Sequence, residues 1–301
     1  MVFVVGVAAA LILGLGYVLQ QRVAATAPLS EMLTWRLLFD LMHRKTWWAG
    51  IGCMVLGELL AGLALQLATV AVVEPLLSTN LLFALAFSAS MARHRIQWQE
   101  LCGALLLSAA LGVFIAVGDP RSSSSPEPSN AILAIAICSV GAAVLVLVAV
   151  ARRRGLVIES VLLATGAGLL YGLQDAGTRA ALVVADHHGI AAMFVNPWIW
   201  VVVGAAIVGI LLSQSAFKAA RLDYSLPPIA AAEPVAGVLL GVTLLGDELS
   251  VSIVGLLVES LCLVAMVAGV VLIGRSPNLA ICQREPKPVR ELVPVVRADS
   301  P

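Results

Sequence analysis

Nine stretches of about 20 apolar residues follow one another along this chain, at 2–19, 47–69, 71–91, 99–118, 131–151, 156–178, 198–217, 226–246 and 251–274. At 1.5 Å per residue, a helix of that length covers the roughly 30 Å hydrocarbon layer of a bilayer. Of the 301 residues, 60% are hydrophobic and 12% charged, where ordinary soluble domains carry about 45–50% and about 25%. Too few polar side chains remain to coat a water-soluble globule, so lipid must solvate much of the surface. The expected fold class is all-α: a polytopic membrane helix bundle of about nine transmembrane helices.

The intervening segments read differently. The run at 2–19 has no basic residue before it and exceeds the usual signal-peptide core of about 7–15 residues, so it is expected to be a retained membrane helix. Residues 29–45 place Leu29, Leu33, Leu37 and Leu41 on one stripe, with Glu31, Arg36, Asp40, His43, Arg44 and Lys45 elsewhere. Arg36 and Asp40 at mid-bilayer would each cost about 2.5–3.5 kcal/mol, which an interfacial amphipathic helix avoids. A spanning helix shielded by its neighbours is the alternative. The segment from Asp119 to Asn130, with Ser122 to Ser125 and Pro126, reads as a polar linker, and the Pro-rich tail after Gly274 as disordered. The expected domains are a first transmembrane repeat at 1–118, a linker and inverting helix at 119–151, a second repeat at 152–274, and a cytoplasmic tail at 275–301.

Orientation follows from charge. With nine helices the breaks alternate sides, and one side receives sixteen of the eighteen Lys and Arg, leaving only Arg121 and Arg179 for the other. Basic residues favour the cytoplasmic face. A multi-pass protein of the cell membrane follows, N-terminus outside and C-terminus cytoplasmic.

The chain also repeats itself. A shift of 152 positions carries Trp48 onto Trp200, Gly57 onto Gly209, Leu59 and Leu60 onto Leu211 and Leu212, Ala64 onto Ala216, Pro75 onto Pro227 and Gly103 onto Gly255. Gly14, Gly16, Tyr17 and Gln20 are echoed by Gly166, Gly168, Tyr171 and Gln174. The extra crossing at 131–151 makes the two copies run in opposite senses. Inverted repeats are the architecture on which alternating access is built.

These residues resemble the drug/metabolite transporter superfamily, the EamA-type fold. They are most similar to its magnesium-transporter-like NIPA branch. Trp47-Trp48-Ala49-Gly50, Gly57-Glu58, Pro75-Leu76 through Leu85 and Cys102-Gly103 follow that branch's order. Pro197-Trp198, Gln214 with Lys218-Ala219, and Asp247-Glu248 resemble its second half. The resemblance covers about 1–275 and implies a secondary transporter of a small solute, with magnesium or another divalent cation as the alternative. One departure is Arg93-His94-Arg95, where the matching position and the family often have Gly-Asp/Glu.

Polar residues at membrane depth carry the candidate chemistry. Glu58 falls near the midplane of its helix, Glu233 seven residues into the eighth and Glu259 eight into the ninth. Three ionised carboxylates facing lipid would cost on the order of 8–10 kcal/mol, against a net stability of about 5–15. They must face protein, water or one another. Together they would bind a cation, or take up a proton where burial disfavours charge; alternatively each is a neutral, hydrogen-bonded tie between helices. Glu58 and Glu233 are the metal ligands if the cargo is a cation. Asn80, beside Ser78 and Thr79, and Gln214, beside Ser213 and Ser215, are expected to contact solute or to bond neighbouring helices. Pro234 is the expected hinge, whereas Pro75 and Pro227 suit helix starts.

Gly237 and Gly241 form a close-packing face. Glu74 and Glu159 are expected at the interface, and Gln20, Gln66, Gln174 and Asp175 at a mouth. Asp186-His187-His188 reads as a solvated outer loop. Cys53, Cys102, Cys138, Cys262 and Cys282 show no metal spacing and read as small hydrophobes. No phosphate loop, nucleophile elbow or zinc-protease motif occurs, so neither an enzyme nor a cofactor is expected. The expected partners are a small-molecule or cation substrate, the bilayer and, as an open alternative, a second copy in a homodimer; no basic patch points to nucleic acid. A non-transporting membrane protein in lipid handling or complex assembly is the alternative of another class. It predicts Glu58, Asn80 and Glu233 at separate helix contacts.

Overall fold

The computed structural model describes residues 1–67, 73, 76–92, 96–118, 130–245 and 253–274. Among them the chain is all-helical, without strands. The helices are α1 (Val2–Ala25), α2 (Trp35–Met42), α3 (Lys45–Leu67), α4 (Asn80–Ala92), α5 (Trp98–Gly118), α6 (Asn130–Ala151), α7 (Leu156–His188), α8 (Ile190–Val195), α9 (Pro197–Ala219), α10 (Leu222–Leu245) and α11 (Ile253–Gly274). Six of these, α1, α3, α5, α6, α7 and α9, are long and apolar enough to cross a membrane. Their outer faces are apolar: Leu59, Leu145 and Trp200 are all at least 67% exposed, as a lipid-facing surface allows and a water-facing one does not favour. The linker, the tail with Cys282, Glu74, Pro75, Arg93-His94-Arg95 and Asp247-Glu248 lie outside the described residues, as do the side chains of Gln66, Arg179 and Asp186.

Packing follows the small residues. α1 lies along α3 and α4, α7 along α9 and α10, and α5 along α11. At Gly14 an added Cβ would meet the Asn80 carbonyl oxygen at 2.8 Å and the Ala84 nitrogen at 2.9 Å; at Gly172 it would meet the Glu233 carbonyl at 2.6 Å. Helices in lipid gain no hydrophobic force from one another, so such close backbone approach supplies the dispersion contact instead. The core joins both halves, with Val18, Leu81, Leu107, Leu163, Leu226, Ile229 and Met266 in one cluster.

Several elements differ from the sequence expectation, each for a local reason. The Leu stripe of 29–45 is not one helix. A 3₁₀ turn holds Leu29–Glu31, Leu33 takes a left-handed φ of 57°, and only Trp35–Met42 is α-helical. At eight residues α2 is about 12 Å long, too short to span. Leu37 and Leu41 bury against Val23, Ala27 and Trp47, while Leu29 stays exposed. α7 runs ten residues past 178, so His187 and His188 form its exposed last turn rather than a loop. Gly189, at φ 85°, ends it. Pro227 does not start its helix, because α10 begins at Leu222 and encloses Pro227, Pro228 and Pro234. Asp223 sits in its first turn beside Arg221 at 2.8 Å, where a carboxylate suits the positive end of the helix dipole.

α9 starts as its sequence dictates. Asn196 is extended, its side-chain oxygen accepts the Trp198 N–H at 3.0 Å, and Pro197 occupies the first turn, where its missing N–H is harmless. We expect Asn196→Ala to cost about 1 kcal/mol. It should read as a lower thermal midpoint in detergent, and an unchanged midpoint would deny the cap any weight.

Several of the described basic residues gather at one end. Lys218 reaches the Ala25 carbonyl at 2.8 Å, Arg22 reaches the Met91 carbonyl at 3.4 Å, and Ser160 bonds the Ala216 carbonyl at 2.9 Å. The ends of α1, α4 and α9 and the start of α7, with Arg152, Arg153 and Arg154 just before it, therefore share a face.

Candidate functional site

Between the two halves lies a cavity of about 480 Å³. The first half contributes Leu13 and Tyr17 from α1, Glu58 from α3, Ser78, Asn80 and Leu81 around the start of α4, and Ser108 and Leu111 from α5. The second contributes Asp175 from α7 and Leu226, Ala230, Glu233, Pro234 and Gly237 from α10. Glu58, Asn80 and Glu233, far apart in sequence, thus share one space. Glu58 and Asp175 are exposed to it, and Asn80 and Glu233 are half-buried. Tyr17 lies within electrostatic reach of Glu233, Glu58 and Asp175.

Two backbone irregularities face this space. The chain turns at Ser78 and Thr79, and α4 begins only at Asn80. Asn80 was expected inside a continuous helix at 71–91; it stands instead at the start of a new one. Ser78 and Ser108 brace the turn reciprocally, each hydroxyl donating to the other's carbonyl, at 3.1 and 2.8 Å. Both serines are buried. Non-helical backbone at membrane depth is tolerated where it is buried in protein or lines a cavity. On the opposite wall Pro234 has no N–H to give the Ala230 carbonyl, and both residues line the cavity.

The other expected residues lie elsewhere. Gln214 is buried against α1, where its Nε2 donates to Gln20 Oε1. Gln20, expected at a mouth, is buried in that pair. Glu259 is half-buried on α11, one turn before Cys262, and is not among the residues lining the cavity. Asp175, expected near a mouth, becomes a wall residue because α7 continues beyond it. Ser108 was not singled out from the sequence, since a serine in an apolar run carries no mark of its partner. Tyr17 was visible only as part of the repeat. Among the described residues, no three of His, Cys, Asp and Glu stand close enough to hold a metal ion.

No family model matches the chain, and no solved structure does. The chain is 26% identical to an uncharacterized protein of Corynebacterium glutamicum, Cgl0250/cg0304, over 275 residues that cover 90% of this chain and 94% of the relative. The likeness takes in both halves.

Proposed function

We propose that the chain is a secondary transporter of the drug/metabolite, EamA-like type, moving a small solute by rocking one half against the other around the shared cavity. The observation that carries this reading is the convergence of Glu58, Asn80 and Glu233 on one space of about 480 Å³, within the 300–1,000 Å³ usual for small-molecule sites. In this reading α4, α10 and α11 cross beside the six long apolar helices, nine crossings in all. Inverted repeats are supported by similar helix pairings: α1 packs on α4 at Gly14, which meets Asn80 and Ala84, and α7 packs on α10 at Gly168 and Gly172, which meet Ala232 and Ala236, 152 residues after Asn80 and Ala84. The basic end supports a cytoplasmic C-terminal side in the cell membrane, with the N-terminus outside.

Glu58 and Glu233 hold a cation or a proton in this reading, and Asn80 contacts the solute. A divalent-cation carrier would use the same two carboxylates, since Mg²⁺ needs oxygen ligands and keeps waters. A lipid-handling or assembly protein predicts dispersed polar residues, and the shared cavity speaks against it. Purified protein in proteoliposomes, screened against a solute panel and Mg²⁺ with and without a pH gradient, tests the proposal. At least one cargo should move faster than in protein-free vesicles; a panel spanning charged and neutral metabolites that never moves would overturn the assignment.

Pro234 serves as the hinge. Pro234→Ala restores an N–H to the helix at Ala230, so the thermal midpoint should hold or rise while transport falls severalfold. Unchanged transport would remove the hinge role.

A further inference from the structure

Three hydrogen bonds cross between the first half and α9 at the basic end. Gln214 Nε2 donates to Gln20 Oε1, the Leu33 N–H to Ser215 Oγ at 3.1 Å, and Lys218 Nζ to the Ala25 carbonyl at 2.8 Å. Gln20, Gln214 and Ser215 are 3%, 1% and 0% exposed, and every residue from 211 to 217 is buried. The cavity is therefore shut at this end, while Asp175, further along α7, is exposed.

The closure is buried but badly satisfied. Gln214 Oε1 is fully buried with no hydrogen-bond partner among the described groups. The Gln20 amide donates to the Met54 thioether at 3.2 Å, a weak acceptor. Leu33, the only non-glycine residue with positive φ among those described, sits in the same contact at 57°. A left-handed leucine and an orphaned buried carbonyl each disfavour the shut state. A contact meant only to hold helices together would be cheaper as packed apolar side chains. In an opened state water would supply the missing bond, which narrows the free-energy gap between the shut and open arrangements.

We propose that Gln20 and Gln214 form an openable seal at the basic end, strained when shut and relieved when water enters. The inference rests on the transporter reading. The seal adjoins the solute space through α1, where Tyr17, one turn before Gln20, lines the cavity. A solute that shifts Tyr17 would therefore bias the seal.

Spin labels at Thr26 and Arg153, both exposed at this end, read its opening as a distance in nanodiscs, with the native cysteines replaced and no solute present. Removing the flanking bonds with Ser215→Ala and Lys218→Met should enrich the longer-distance population about three- to tenfold per bond. Adding Gln20→Leu with Gln214→Leu to that background should shrink the same population by at least about threefold, because an apolar pair leaves nothing unsatisfied. In the parent protein the Leu pair should leave the thermal midpoint unchanged or higher. A lowered midpoint or failure to fold in the Leu pair would mark an ordinary structural bond and overturn the seal. So would distances that none of these substitutions moves. A seal that opens in a protein that carries no cargo of the panel would sink transport alone.

Discussion

Glu58→Gln is expected to cut transport at least about tenfold while leaving the thermal midpoint in place. Losing a charge-assisted interaction costs about 1.5–3 kcal/mol, and every 1.4 kcal/mol is a factor of ten. The amide keeps the shape of the side chain and removes only its charge and proton chemistry. Glu58 faces the cavity rather than packed apolar neighbours, so the fold should not register the change. Glu259→Gln, on a helix face outside that cavity, should alter transport less than about twofold, as surface-like substitutions do. If the two variants behave alike, depth in the membrane rather than convergence explains the acids, and the site dissolves.

Gly172→Val should prevent assembly of the bundle. A Cβ there would lie 2.6 Å from Ala236 Cβ and the Glu233 carbonyl oxygen, and 2.7 Å from the Gly237 nitrogen. Overpacking ordinarily costs about 1–3 kcal/mol when side chains can give way. Here two of the three neighbours are backbone, so α7 and α10 would have to part along their whole contact. The purified variant should aggregate or elute as a broad distribution on size-exclusion chromatography. Gly204→Val is the contrast, since no atom within 4 Å meets a Cβ there; its midpoint should stay within about 0.5 kcal/mol of the parent. A well-folded Gly172→Val would mean that these helices do not pack as described.

The long apolar runs were legible because lipid demands length and hydropathy, and both are written in composition. That Glu58 and Glu233 turn to a shared space could be anticipated for the same reason. The azimuth of the amides could not. Gln214 and Asn80 look equivalent as amides in apolar runs, yet one faces α1 and the other the cavity. That difference depends on how α9 rotates against its neighbours, which no single-helix period encodes.

The turn at Ser78 and Thr79 contains no Gly or Pro itself, and Pro75, three residues earlier, suited a helix start rather than a turn here. Hydroxyls that bond the backbone locally end helices more quietly, and the partner that braces this one, Ser108, comes from another helix. Leu33 spoiled the i+4 stripe because tertiary contact with Ser215 outweighed local propensity. α7 outruns its expected end at 178 because the helix continues until Gly189, at a positive φ, stops it.

The central claim is that one cavity between the halves opens to each side in turn. A single cysteine at Ala230, which is half-buried and lines it, in a background without native cysteines, can be challenged with a membrane-impermeant thiol reagent from either face of oriented vesicles. Labelling from both faces, with reaction on one side suppressed when the Gln20→Leu and Gln214→Leu pair keeps the basic end shut, is the predicted result. Labelling from one face only, under every condition and in every variant, would contradict it.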